Sequence, residues 1–182
     1  MSVELSVRLH KRFTLRTLLQ RTRELSGLGE DVAMQVMTPE AFRRSAPPLV
    51  ATFDLLELAC GPGVAEQPEP AVRLAVGDGV TDLVWVDTSD VPDPESGVWL
   101  FAYATWRNEA SLLLCTYVAI AAAQLGHSVI VDESSLLGRG RLVPPETLFE
   151  ALERASDRLG GAPGSEAYAA AVLTQVRGRA GR

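Results

Sequence analysis

Asp87, Arg107, Asp132 and Glu133 are the residues whose types and positions could do chemistry. Asp132 and Glu133 follow the apolar run Val129-Ile130-Val131, and carboxylates at the C-terminal end of a buried strand stand where binding crevices form. With Asp87 they would make an oxygen set for a divalent ion. Arg107 opens a long apolar helix, where a cation meets the positive end of the helix dipole at a cost of about 0.3–1 kcal/mol, so it calls for an acidic neighbour or an anionic ligand. The competing expectation is structural: acids after a strand fix the following turn through backbone N–H groups. The sequence favours that second reading and shows no catalytic signature.

The remaining reactive side chains point the same way. His10 and His127 are the only histidines; a metal site built on both requires the two ends of the fold to meet, and no metal or cofactor is expected. Cys115 falls inside an apolar helix with no charge placed to lower its pKa, as an inert small hydrophobe does. Ser134-Ser135 lacks the glycine-flanked elbow that exposes a nucleophile. Gly77-Asp78-Gly79 reads as a hairpin turn, not a phosphate loop. Gly138-Arg139-Gly140-Arg141 has two arginines without interleaved aromatics, a thin case for nucleic acid. Arg12, Arg16 and Arg23 on one helix face read as a solvated surface before an anion site.

Charge is distributed unevenly: residues 1–44 carry eight basic and five acidic side chains, 45–106 one and ten, and 107–182 eight and eight. A net −9 in the middle segment excludes a nucleic-acid footprint there and favours a basic protein partner. Two loops hold much of this charge, 62–70 with Glu66 and Glu69, and 87–96 with Asp90, Asp93 and Glu95. These five acids are the expected partner-binding residues. No secretory signal is visible in 1–12, which places the chain in the cytoplasm with both thiols, Cys60 and Cys115, reduced. Lys11 is the only lysine among abundant arginine, as in a high-GC bacterial genome.

Positioning these residues falls to a core element. Residues 106–133 read as one helix apolar on every side, capped by Asn108 and stopped at Gly126, followed at once by a buried strand over 128–132. The run 110–123 is short of the ~20 residues a bilayer crossing needs, so it is a core helix and not a membrane span. Alternation over 3–9 predicts a strand; Thr14 caps a helix that Gly27 ends; 32–37 is a strand; 38–46 a short helix; 49–59 a strand with a bulge near Leu55. Residues 71–76 and 80–87 form a hairpin, and 98–105 a central strand apolar on both faces, Trp99, Phe101 and Tyr103 against Val98, Leu100 and Ala102. Pro145-Glu146 and Ser165 open two last helices, and 177–182 is a frayed basic tail.

The order predicts a single α+β domain over 1–182, a mostly antiparallel mixed sheet of about six to seven strands packed against helices on one face, with a central buried helix 109–125.

A strand ending near Trp106-Arg107, the Ala/Leu-rich helix, Gly126-His127-Ser128-Val129-Ile130-Val131-Asp132 and the helix start at Pro145-Glu146 together resemble small bacterial α+β proteins of the polymorphic-toxin immunity type. The resemblance covers about the C-terminal half. It implies a cytosolic neutraliser that binds a toxin tightly and does no chemistry. The resulting expectation is a non-enzymatic protein-binding module using the acidic loops. Its alternatives are a small enzyme built on Asp87, Arg107, Asp132 and Glu133, and a homodimeric structural subunit that covers the second face of strand 98–105.

Overall fold

The computed structural model describes residues 3–29, 34–37, 56–57, 59–62, 71–90, 92, 96–104, 108–133, 135, 137–138, 141–159 and 163–178. Its strands are β1 (Val3–Leu9), β2 (Phe13–Thr14), β3 (Gln35–Met37), β4 (Ala59–Cys60), β5 (Ala71–Val76), β6 (Gly79–Asp87), β7 (Val98–Ala104), β8 (Ile130–Val131) and β9 (Leu142–Val143). Four helices accompany them among the described residues: α1 (Leu15–Ser26), α2 (Glu109–Gly126), α3 (Pro145–Ser156) and α4 (Glu166–Gly178). The fold is α+β.

Seven strands form one sheet in the order β3-β5-β6-β7-β1-β8-β9, while β2 and β4 pair separately. Every pairing is antiparallel. The mostly antiparallel sheet that the sequence predicts is antiparallel in all its described pairings, because the crossover β7–α2–β8 skips one position and β1 fills it, so β7 and β8 run the same way without touching. Period-2 alternation sets the faces. Leu5, Val7, Leu9, Val72, Leu74, Val76, Leu83, Trp85, Val98, Leu100 and Ala102 are buried on one side, and the residues between them look the other way.

Helix α2 lies on that buried side, against β1, β6, β7 and β8, with α1, α3 and α4 packed around the rest of it. This explains a helix with no polar stripe: each side has an apolar neighbour. Its 18 residues have a mean hydropathy of 1.4, enough by length and composition to cross a membrane, but 83% of that span is buried inside the protein. The polar exceptions are satisfied at short range, Thr116 Oγ1 donating to the Leu112 carbonyl at 2.7 Å and Cys115 Sγ to the Ala102 carbonyl at 3.3 Å.

The predicted N-caps of α1 and α2 form. Thr14 Oγ1 accepts from Thr17 N–H at 3.2 Å, and Asn108 Oδ1 from Ser111 N–H at 2.8 Å. The stop of α2 differs from expectation. His127, not Gly126, takes the left-handed conformation (φ 56°) and donates its N–H to the Ala123 carbonyl. Gly126 lies close against β1, where a Cβ would stand 2.9 Å from Leu9 Cδ2 and that side chain would have to shift. The expected buried strand 128–132 shrinks to Ile130–Val131, because only Ser6 and Val7 of β1 pair with it, and Val129 is 40% exposed. Ala59–Cys60 joins β2 instead of extending the main sheet. The short helix over 38–46 and the bulge near Leu55 lie outside the described residues. Arg177, assigned to the tail by sequence, belongs to α4 and holds Glu109 with Nη1 and Nη2 at 3.0 and 3.1 Å.

Candidate functional site

The carboxylates that the sequence offered as a metal or catalytic set are not brought together. Asp87 ends β6 opposite Val98, which in turn pairs with Leu9, whereas Asp132 follows Val131, the partner of Ser6. Three strand spacings and about four residues separate them, about 14 Å across the sheet and about 13 Å along it. No divalent ion bridges that gap. Asp87 is exposed, and hydrogen bonds from Ser89 hold its carboxyl below the usual range.

Asp132 is fully buried and organises a turn. Its Oδ2 accepts from Leu137 N–H at 3.0 Å, its carbonyl from Ser135 N–H at 3.1 Å, and its own N–H donates to the Arg141 carbonyl at 2.8 Å. Glu133 is exposed and takes Arg141 Nε and Nη2 at 3.0 and 2.7 Å. Arg107 lies outside the described residues, as do Glu66, Glu69, Asp93 and Glu95. Asp90 is exposed.

Other reactive groups are similarly engaged or enclosed. Burial pushes the Cys115 and Cys60 thiols up to about 12, far from a nucleophile's range. The chain does bring the neighbourhoods of its two histidines together, His10 N–H donating to the Gly126 carbonyl at 3.0 Å beside His127. Among the described residues, however, no three His, Cys, Asp or Glu side chains converge on one point. A cleft between α1, α2 and α4, bordered by Leu28, Leu113, Tyr117 and Tyr168, has room for about 20 Å³. That is the space of one water and not of a substrate.

The second face of the sheet is different in kind. Trp99, Phe101 and Tyr103 project from β7 as a stacked ladder, with centroids 6.3 Å apart at each step and interplanar angles of 27° and 18°. Register extends the ladder sideways in three rows. The first runs Arg73, Asp82, Tyr103, Glu4; the second Val84, Phe101, Ser6, Val131, Leu142; the third Val86, Trp99, Arg8. All the described helices lie on the opposite side, α2 on the sheet and the other three on α2. The ladder aromatics and the β6 valines are correspondingly only half-buried. Val129 and Leu142, the large hydrophobics exposed among the described residues at 40% and 62%, border the same face.

Charge is arranged at its ends. Arg73 and Asp82 form a bidentate cross-strand pair, Nε to Oδ1 at 2.5 Å and Nη2 to Oδ2 at 2.6 Å. Burial raises the carboxyl of Glu4, and the nearby charge of Glu133 raises it further. Burial and the Glu4 charge also raise the Tyr103 phenol. At the far end Arg8 Nη2 donates to the Ser96 carbonyl at 2.5 Å. The face is an apolar, aromatic centre with acid at one end and base at the other.

Sequence reading found the β7 half of this surface through its double apolar alternation. It missed Val84, Val86, Leu142, Glu4 and Arg8, which belong to the face only through register. The signal present was the valines Val80, Val84 and Val86 on the same side of β6 as Asp82. Comparison with family models, with curated proteins and with solved structures finds no match to this chain.

Proposed function

We propose that this chain is a non-enzymatic protein-binding module whose docking surface is the sheet face opposite its described helices. The observation that carries the reading is the Trp99–Phe101–Tyr103 ladder on the side of a central strand away from the described helices. Contiguous apolar surface of this kind, rimmed by charge, marks interaction sites, and aromatic residues supply much of the energy of such interfaces. The engagement of Asp132 in its own turn and the distance between Asp87 and Asp132 speak against the small-enzyme alternative. Glu4 and Glu133 at one end of the face favour a partner that sets a basic group there. The immunity-type resemblance is compatible with such a partner in the cytoplasm.

The test is Phe101→Lys, which places a charge at the middle of the ladder without touching the helix side. Binding, measured by pull-down from the native host and then by biolayer interferometry with the captured protein, is expected to be lost while the melting temperature holds. Full retention of every association by a folded Phe101→Lys protein rejects the face as the docking surface.

A further inference from the structure

We infer, resting on the protein-binding reading of this face, that its occupant is a second copy of the same chain, docked face to face about a two-fold axis beside the Ser6–Phe101 pair. The pattern of the face is self-complementary. On its side away from the described helices β1 reads Glu4, Ser6, Arg8, and each is paired in register with Tyr103, Phe101 and Trp99 of β7 respectively. A two-fold axis in the plane of the interface and perpendicular to the strands keeps each strand over its own copy and reverses its direction. The Ser6 row then meets itself, and each end row meets the other.

The consequences are specific. Glu4 of one protomer falls opposite Arg8 of its partner, twice per dimer, and Tyr103 falls opposite the partner's Trp99. Phe101 meets its own copy beside Ser6. The Arg73–Asp82 pair is internally neutral and makes no demand on the partner. Sheets in such sandwiches cross at about 30°, which shifts these pairs without exchanging them. The cation that the proposed function asks of a partner near Glu4 is thus one the chain carries itself.

Size is also adequate. From β5 to β9 there are five strand spacings, and three rows of side chains give a footprint of about 500 Å² per protomer. The two copies together cover about 1,000 Å² before side-chain relief is added, the range in which specific interfaces begin. Val129 and Leu142 would lose their exposure in the same event.

Sedimentation equilibrium from 1 to 100 µM is expected to give a mass twice that of the chain. Phe101→Lys, or Leu142→Glu should the first fail to fold, is expected to give the single-chain mass with an unchanged circular dichroism spectrum. Glu4→Arg and Arg8→Glu should each weaken the dimer at least tenfold, and the double exchange Glu4→Arg/Arg8→Glu should recover it. A wild type that stays monomeric at 100 µM overturns the inference, as does a double exchange no tighter than the single ones. A monomeric wild type that still captures a partner through Phe101 leaves the docking reading standing and removes only the self-association. A dimer indifferent to Phe101→Lys and Leu142→Glu removes both.

Discussion

The carboxylate of Glu166, in the first turn of α4, closes the start of α2: Oε1 accepts from Glu109 N–H and Oε2 from Ala110 N–H, each at 2.8 Å. Asp78, at the β5–β6 turn, completes the junction, its Oδ2 accepting from Glu166 N–H at 3.1 Å and its carbonyl from Asn108 Nδ2 at 3.0 Å. Two otherwise unpaired donors of the core helix are thereby satisfied by a residue far away in sequence, and an acid sits at the positive end of its dipole.

Glu166→Ala should therefore cost about 1–2 kcal/mol, the usual range for a lost cap, seen as a lower urea midpoint with an unchanged slope. An unchanged midpoint would mean that the junction contributes nothing net.

Asp132→Ala should destabilise without altering any association. The Leu137 N–H, buried, would lose its acceptor, a loss of about 1–3 kcal/mol. Asp132→Asn keeps an oxygen in place and should recover part of this. If Asp132→Asn abolished a measurable activity at full stability, the turn-forming role assigned here would be displaced by a catalytic one.

Alkaline pH should unfold the protein gradually from about pH 9. Burial raises Cys60 and Cys115 from near 9 to about 12, and Tyr117 from near 10 to about 12. The native state keeps protons that the unfolded chain gives up, so the stabilisation is complete below pH 9 and is lost as pH climbs toward 12. Urea midpoints at pH 8, 9.5 and 10.5 should fall in that order, and Cys115→Ala should flatten the decline. In native protein at pH 8 neither thiol should react with iodoacetamide within the time that the urea-unfolded chain reacts fully.

Glu4 gives the opposite end of the pH scale. Its carboxyl is raised from an ordinary 4.5, so its contribution is complete below that value and is lost as pH rises through the folded-state value. Glu4→Gln, compared in the Phe101→Lys background to keep association out of the measurement, should match its parent at pH 4 and melt higher at pH 7. Coincident melting curves at both pH values would refute the burial assigned to Glu4.

What the sequence disclosed was whatever depends on neighbours in the chain. Thr14 and Asn108 as caps, the Gly77–Gly79 turn, the alternation of β1 and the all-round apolarity of α2 are local patterns, and each has its predicted place. Ser165 likewise caps α4, its Oγ accepting from Tyr168 N–H at 3.3 Å. Register is not local. Nothing near Glu4 in sequence announces Tyr103 or Glu133, and only the pairing of β1 with β7 and β8 makes one surface of them. The same ignorance of register put Asp87 beside Asp132. Gly126 shows a subtler failure: glycine is the usual left-handed residue after a helix, but here contact with Leu9 claims it and His127 takes the turn.

The place of β1 in the sheet sets the timetable of its assembly. Residues 3–9 precede both their neighbours in the sheet by a long stretch of chain, since β7 and β8 begin only at Val98 and Ile130, on either side of the core helix. Until then Leu5, Val7 and Leu9 lack their sheet partners, and the order of synthesis runs against the order of assembly. Pairings this distant are slow to close and leave strand edges exposed meanwhile. The β5–β6–β7 meander can form hairpin by hairpin, but β1 is held on both sides only once β7 and β8 are in place, so closing the sheet around β1 is a late step of folding.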